Sequence, residues 1–117
     1  MNREAVHKKY SIPFEVLKKY ESSSIAKVQS EGAATIYDDY ALKELSFIMS
    51  LLDFGFSWDE IMSYMKMKKD SKYCHCMDLL NEKRNDMLEE IHKKEQMISR
   101  IDYLKYEMKK DLDDTKG

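Results

Sequence analysis

The residues that interrupt regular structure are scarce in this chain: three glycines and one proline, Pro13, in 117 positions. With Lys, Glu, Leu and Met abundant, that scarcity points to helices, because straight side chains lose little rotamer freedom there. Cysteine is scarce too. Cys74 and Cys76 stand two positions apart and cannot build a disulfide framework, so a reducing compartment, the cytoplasm, is expected. No run approaches the roughly 18 apolar residues that span a bilayer, and the start lacks the apolar core of a signal peptide, so no membrane partner is expected. An excess of either charge is missing: the formal net charge is −2. The whole molecule therefore has no pull toward nucleic acid, and any DNA-binding face has to come from local clustering. Catalytic constellations are missing as well. The histidines at 7, 75 and 92 are dispersed, and no phosphate-binding glycine loop or paired-carboxylate motif occurs, which reads as a non-enzyme without a cofactor.

What is present is 43% hydrophobic and 36% charged, the balance of a folded, water-soluble chain. Its length suits one compact domain, or a small domain with one extended element. Residues 2–21 carry two short helical patterns around Ser11-Ile12-Pro13. Pro13, with no backbone donor and a fixed φ, suits the first position of a helix. Ala5 and Val6 precede it, and Val16, Leu17 and Tyr20 follow at helical spacing. Two short helices joined by a tight turn make a helix-turn-helix candidate. Residues 22–36, reading SSSIAKVQSEGAATI, are small and polar. Gly32 supplies a turn there, and Ile25, Val28, Thr35 and Ile36 form the arms of a short hairpin, or wing; an unstructured loop is the alternative. From Tyr37 onward the pattern is helical. Asp38 or Asp39 caps a helix with Leu42, Leu45, Ile48, Met49 and Leu52 on one side, and Gly55 follows as its left-handed C-cap residue. Ser57-Trp58-Asp59-Glu60 reads as a capping box for a second short helix bearing Ile61, Met62, Tyr64 and Met65. Core packing is the expected work of these apolar residues.

The last stretch, about Met77 to Leu112, reads as one uninterrupted helix. With Leu80, Met87, Lys94, Ile101 and Met108 at d and Arg84, Ile91, Ile98, Lys105 and Leu112 at a, seven of ten seam positions are apolar. A seam in steps of three and four is what a two-helix coiled coil requires. About 36 residues at 1.5 Å each make a helix of roughly 54 Å, longer than a small body in the same chain covers. Its stripe calls for a second copy, and antiparallel self-pairing about a twofold axis satisfies it symmetrically. Arg84 and Lys94 weaken that seam and select register or orientation. The dimerisation set is therefore Leu80, Arg84, Met87, Ile91, Ile98, Ile101, Met108 and Leu112.

In this order the elements resemble the MerR family of bacterial transcription regulators. Leu42-Lys43-Glu44-Leu45-Ser46-Phe47-Ile48, followed by Leu51-Leu52-Asp53-Phe54-Gly55-Phe56-Ser57-Trp58-Asp59-Glu60-Ile61, is similar to the family's L-x-x-L-x-F-I … L-x-x-L-G-F-S-L-x-E-I signature, with Trp58 in place of the usual Leu. Val16-Leu17-Lys18-Lys19-Tyr20-Glu21 resembles T-L-R-Y-Y-E of the recognition helix and its exit, and Tyr37 matches the tyrosine that closes the wing. The resemblance spans nearly the whole chain. It implies a mainly all-α fold: a winged helix-turn-helix DNA-binding domain over 1–70, a junction at 71–76, an antiparallel coiled-coil dimerisation helix over 77–112 and a tail at 113–117. It also implies a homodimer on a roughly palindromic promoter site, double-stranded DNA as partner, and distortion of the promoter so that RNA polymerase engages both of its elements.

The departures fall on the wing. The family string G-Y-R-x-Y corresponds here to Ala33-Ala34-Thr35-Ile36-Tyr37, without its first Tyr or its Arg. The recognition-helix Arg has become Lys18, which keeps charge but loses the bidentate fork. Residues 1–40 hold six basic side chains (Arg3, Lys8, Lys9, Lys18, Lys19, Lys27) against six acidic ones. The expected DNA-contacting set is Lys8, Lys9, Ser11, Phe14, Glu15, Lys18, Lys19, Lys27 and Tyr37, with the two lysine pairs converging on one face and a helix over about 13–20 entering a major groove. A second reading is a MerR-like protein-interaction module, an antagonist or adaptor whose wing has lost its DNA contacts. A third is a metal or thiol sensor through Cys74, His75 and Cys76, expected just before the long helix. A small-molecule effector would bind between the helix pairs or in the dimer cleft, near Trp58, Tyr64, Met65 and Tyr73.

Overall fold

The computed structural model describes residues 1–26, 28–32 and 34–116. In chain order it contains α1 (Arg3–Tyr10), α2 (Phe14–Glu21), β1 (Gln29–Glu31), β2 (Ala34–Ile36), α3 (Asp39–Asp53), α4 (Trp58–Lys69) and α5 (Tyr73–Lys116). The fold is mainly helical, with a two-stranded hairpin between the first and second helix pairs. The chain divides into two compact units, Met1–Cys76 and Met77–Gly117.

In the first unit the helix ends are set by side chains close at hand. Asn2 caps α1, accepting from the Ala5 amide at 2.8 Å, and Ser11 closes it in the left-handed region at φ 55°. Pro13, expected as the first helical residue, is instead the N-cap of α2: its φ of −58° suits a helix, but its ψ of 141° is extended. Asp38, rather than Asp39, caps α3 through the Ala41 amide at 2.9 Å. α3 then ends as a Schellman turn. Gly55 at φ 89° donates to the Leu52 carbonyl and Phe56 to that of Leu51, and Phe56 is buried where such a turn makes its apolar contact. The capping box of α4 is complete, Ser57 N–H donating to Glu60 at 2.9 Å and Glu60 N–H to the Ser57 hydroxyl at 3.2 Å.

α3 is the central element. Ala41, Leu45, Ile48 and Leu51 lie on one buried face, spaced as an amphipathic helix requires. Val6 of α1, Leu17 and Tyr20 of α2, Tyr37 after β2, and Ile61 and Met65 of α4 complete the core. The wing is a regular antiparallel pair, Gln29 opposite Ile36, Ser30 opposite Thr35 and Glu31 opposite Ala34, turning at Gly32 with φ 62°. Its arms are shorter than expected. Ile25 and Val28 precede β1; Ile25 is buried, its apolar side chain being worth more in the core than on a solvated hairpin.

α5 begins at Tyr73, four residues earlier than the sequence pattern suggests, and runs for 44 residues, roughly 66 Å. The boundary was masked because α4 ends without glycine. Ser71 itself adopts φ 59° and donates to the Lys68 carbonyl, and Lys72 donates to that of Met67, a Schellman turn that lets the next helix start two residues on. The second unit is α5 from Met77 onward, and beyond the half-buried Leu79 and Leu80 its apolar side chains are exposed: Ile91, Ile98 and Ile101 at 53%, 57% and 56%, and Met108 at 74%. No helix among the described residues is long and apolar enough to cross a membrane.

Candidate nucleic-acid interface

α2 is fixed against α1 by two devices at opposite ends of the pair. At the turn, the His7 ring nitrogen lies 2.6 Å from the Ile12 carbonyl, and the same imidazole stacks on Phe14, 3.8 Å between ring centres and 18° between planes. At the far end, Arg3 grips Glu21 with both arms of its guanidinium, Nε to Oε2 at 2.9 Å and the second nitrogen to Oε1 at 2.6 Å. A buried bond joins α2 to α3: the Tyr20 hydroxyl donates to Glu44 at 2.7 Å. Neither the role of His7 nor the Arg3–Glu21 clasp was expected from the sequence. The signal available was the placement of opposite charges at the start of one helix and the end of the next, which acquires meaning only once the fold brings those two ends together.

The clasp has a pH signature. Burial pushes the Glu21 carboxyl up, but hydrogen bonds from Arg3, Tyr37 and Thr35, with the Arg3 charge, outweigh it and hold the group below its ordinary 4.5. A carboxylate depressed by folding contributes stability that is present above the unfolded value and lost as pH falls through the folded one. Glu21→Gln is therefore expected to lower stability at pH 7 by about 1–2 kcal/mol, with the gap to wild type closing as the pH falls through the depressed folded value. Urea unfolding at neutral pH and across the acid range checks this; a gap that stays equal throughout would assign the loss to packing.

The outer surface of α2 carries Phe14, Glu15, Lys18 and Lys19, all exposed. Lys19 lies 3.7 Å from Glu15 and its ammonium 5.8 Å from the centre of the Trp58 ring. Lys18 and Lys19 line an open groove of about 510 Å³ with Ser22, Ser23, Ser24 and Trp58. The groove thus joins the end of α2 to the first turn of α4, where amides carry the positive end of the helix dipole. The serines were not among the expected contacts, and Trp58 was assigned to core or an effector pocket; it is only half-buried. The capping box was the signal, because it marks where α4 presents its N-terminus.

Lys8, Lys9 and Ser11 are exposed at the end of α1, with Lys9 over the Tyr10 ring at 5.5 Å. Lys8 and Lys9 do not line the groove that holds Lys18 and Lys19, so that groove does not unite the two pairs. Lys27 lies outside the described residues, as does Ala33 of the wing string. Tyr37 corrects an expectation. It is 1% exposed, stacked on Tyr20 at 6.2 Å, and its hydroxyl faces the Leu17 carbonyl at 3.5 Å. Burial pushes its pKa far up. A ring so enclosed ties wing to core and is not available to a phosphate.

The cysteine segment is also not where it was expected. Cys74, His75 and Cys76 lie in the first turn of α5, not ahead of it. Side chains two positions apart on a helix diverge: Cys74 is exposed, while Cys76 is buried with its sulfur 3.7 Å from the Tyr64 carbonyl. Among the described residues no three His, Cys, Asp or Glu side chains form a group able to hold a metal ion. Of the expected effector-pocket residues, Met65 and Tyr73 share a cavity of about 280 Å³ with Tyr40, Lys43, Phe47, Lys68 and Lys69.

No protein-family model matches this chain, and no curated protein matches its sequence. Among solved structures it is similar to the crystal structure of a transcriptional regulator of the MerR family from Bacillus thuringiensis, with a TM-score of 0.62 and 22% identity, over 86% of this chain and 94% of that one. The fold is MerR-like. Within a MerR-like fold, α1, α2 and the hairpin form the winged helix-turn-helix, α3 and α4 the second helix pair, and α5 the long terminal helix.

Proposed function

We propose that the protein is a MerR-type transcription regulator in the cytoplasm. A homodimer formed through α5 binds double-stranded DNA at a roughly palindromic promoter site and acts on RNA polymerase there. The observation that carries this reading is the outward face of α2, with Phe14, Glu15, Lys18 and Lys19 exposed on a helix whose inward face is tied to α1 and α3. A helix held so firmly, with its polar face open, suits entry into a major groove. Lys18 and Lys19, with the serines and the start of α4 along the groove, supply phosphate contacts. Lys8, Lys9, Ser11 and Lys27 are the remaining proposed contacts.

The test is binding to DNA from the protein's own upstream region at two salt concentrations, beside a Lys18→Ala, Lys19→Ala variant. Loss of two phosphate contacts is expected to weaken binding at least about tenfold at low salt and to flatten the salt dependence by about two charges. Equal, negligible binding by both proteins would overturn the reading.

One observation favours the alternative, a MerR-like module that binds protein. Of the basic side chains in the first 40 residues, Arg3 is committed to Glu21 and Lys19 sits beside Glu15, which lowers the charge available to phosphates. A copurified protein partner, with no DNA binding, would establish it.

A further inference from the structure

We propose that Phe14 is a specificity-determining residue that reads the 5-methyl group of thymine, and that His7 is the positioning residue that holds its ring in place. The inference rests on the DNA-binding reading and deepens it, naming the base edge that the front of α2 recognises. Phe14 is the first residue of α2, and the first residues of a recognition helix are those that reach base edges in a major groove. Of the four exposed side chains on the outer surface of α2, Glu15, Lys18 and Lys19 are charged and Phe14 is the apolar one. A phenyl ring offers neither donor nor acceptor to a base edge. Its complement in the major groove is the thymine methyl, the one apolar substituent presented there. Phe14 and Lys18, four positions apart, lie on one face of the helix, so the ring stands beside a cation that can anchor the adjoining backbone.

The ring is braced before any DNA arrives. The His7 imidazole covers one face of it, with 3.8 Å between ring centres and 18° between planes. His7 is fixed in turn by the Ile12 carbonyl, 2.6 Å from its Nδ1. A carbonyl only accepts, so that nitrogen carries a proton and donates. Ile12 is itself only 5% exposed, which anchors the carbonyl at the turn between the two helices. Pro13, at φ −58°, removes a further freedom from the chain entering α2. Phe14 nevertheless remains 39% exposed. A stack that served only to close the turn would gain by burying more of the ring; this one holds the ring still and leaves part of it open. A side chain already held in one rotamer loses less entropy when it meets a partner. That economy matters for a single methyl group, whose burial offers little to offset the ordering of a mobile ring.

Uracil lacks that methyl and keeps the pairing of thymine, and it supplies the test. DNA from the protein's own upstream region is prepared once with thymine and once with uracil at every thymine position. Dissociation constants of the full chain for both DNAs are measured at one salt concentration. Wild type is expected to prefer the thymine DNA about fourfold for each ring that covers a methyl, or roughly 15-fold over two half-sites. Phe14→Ala is expected to bind the two DNAs equally. His7→Ala is expected to lose most of the preference, and His7→Phe, which restores an aromatic partner for the ring, to regain it. If His7→Ala weakens binding to both DNAs alike and keeps the wild-type ratio, His7 is merely structural and its positioning role is overturned. A wild type that binds the two DNAs equally well, or a Phe14→Ala chain that retains the preference, overturns the methyl contact and leaves DNA binding standing. A wild type that binds neither DNA overturns both. Phe14 is exposed, so its truncation leaves the core intact, and circular dichroism of each variant reports that the helices remain.

Discussion

Ile98→Asp should convert the protein to a monomer at micromolar concentration. Ile98 is 57% exposed in the single chain and sits at an a position of the α5 stripe. In the proposed dimer it lies within the seam. Burying an isoleucine stabilises by about 1.5–3 kcal/mol, and the twofold axis applies the loss twice. The carboxylate adds the cost of a charge placed in an apolar seam without a partner. Together these raise the dissociation constant by at least about 100-fold. Tyr103→Asp is the control: it removes a side chain of comparable exposure, 62%, but from an f position outside the seam, and is expected to change the constant less than about threefold. Sedimentation of both variants distinguishes a specific seam from general stickiness of an exposed helix. Equal losses at the two sites would count against the heptad assignment, and no loss at either would count against α5 as the dimer element. In the proposed DNA complex, loss of the dimer would unlink two half-sites, so Ile98→Asp should also lose the affinity gained by bivalent binding.

The long terminal helix was legible because a period of three and four over many turns is a property of sequence alone. So were the capping box at Ser57, the Gly55 stop and the order of helices. These are local, set by backbone chemistry within four residues. What was not legible follows from longer range or from rarer conformations. Ser71 takes left-handed backbone that glycine usually fills, which hid the true start of α5 and placed Cys74, His75 and Cys76 on a helix. Tyr37 matched a wing tyrosine in position, but nothing in the string said that its ring is buried against Tyr20. The clasp of Arg3 on Glu21 spans 18 residues, and its consequence for the interface, that one of six basic side chains is already neutralised, emerges only in three dimensions. Sequence composition measures the charge present; the fold determines how much of it remains free.

Tyr20 is where that three-dimensional coupling is strongest. It is fully buried on the inner side of the helix whose outer side bears Lys18 and Lys19, and its hydroxyl donates to Glu44, itself only 9% exposed. Tyr20→Ala removes a large ring from the meeting of α2, α3 and the wing, at about 3–5 kcal/mol, a large share of the 5–15 kcal/mol that holds a small domain together. Tyr20→Phe keeps the ring and deletes the donor. A buried carboxylate then loses a hydrogen bond, worth about 1–3 kcal/mol. Glu44→Gln keeps an acceptor for the tyrosine and is expected to cost less, about 1 kcal/mol or under. Combining Tyr20→Phe with Glu44→Leu replaces both partners with apolar groups, and should recover part of the loss incurred by Tyr20→Phe alone. Urea denaturation of the series checks the ordering. If Tyr20→Phe matches wild type, the hydrogen bond contributes nothing net and α2 is held by ring packing alone. If Tyr20→Phe equals Tyr20→Ala, the polar link outweighs the packing, and α2 owes its position to one carboxylate on α3.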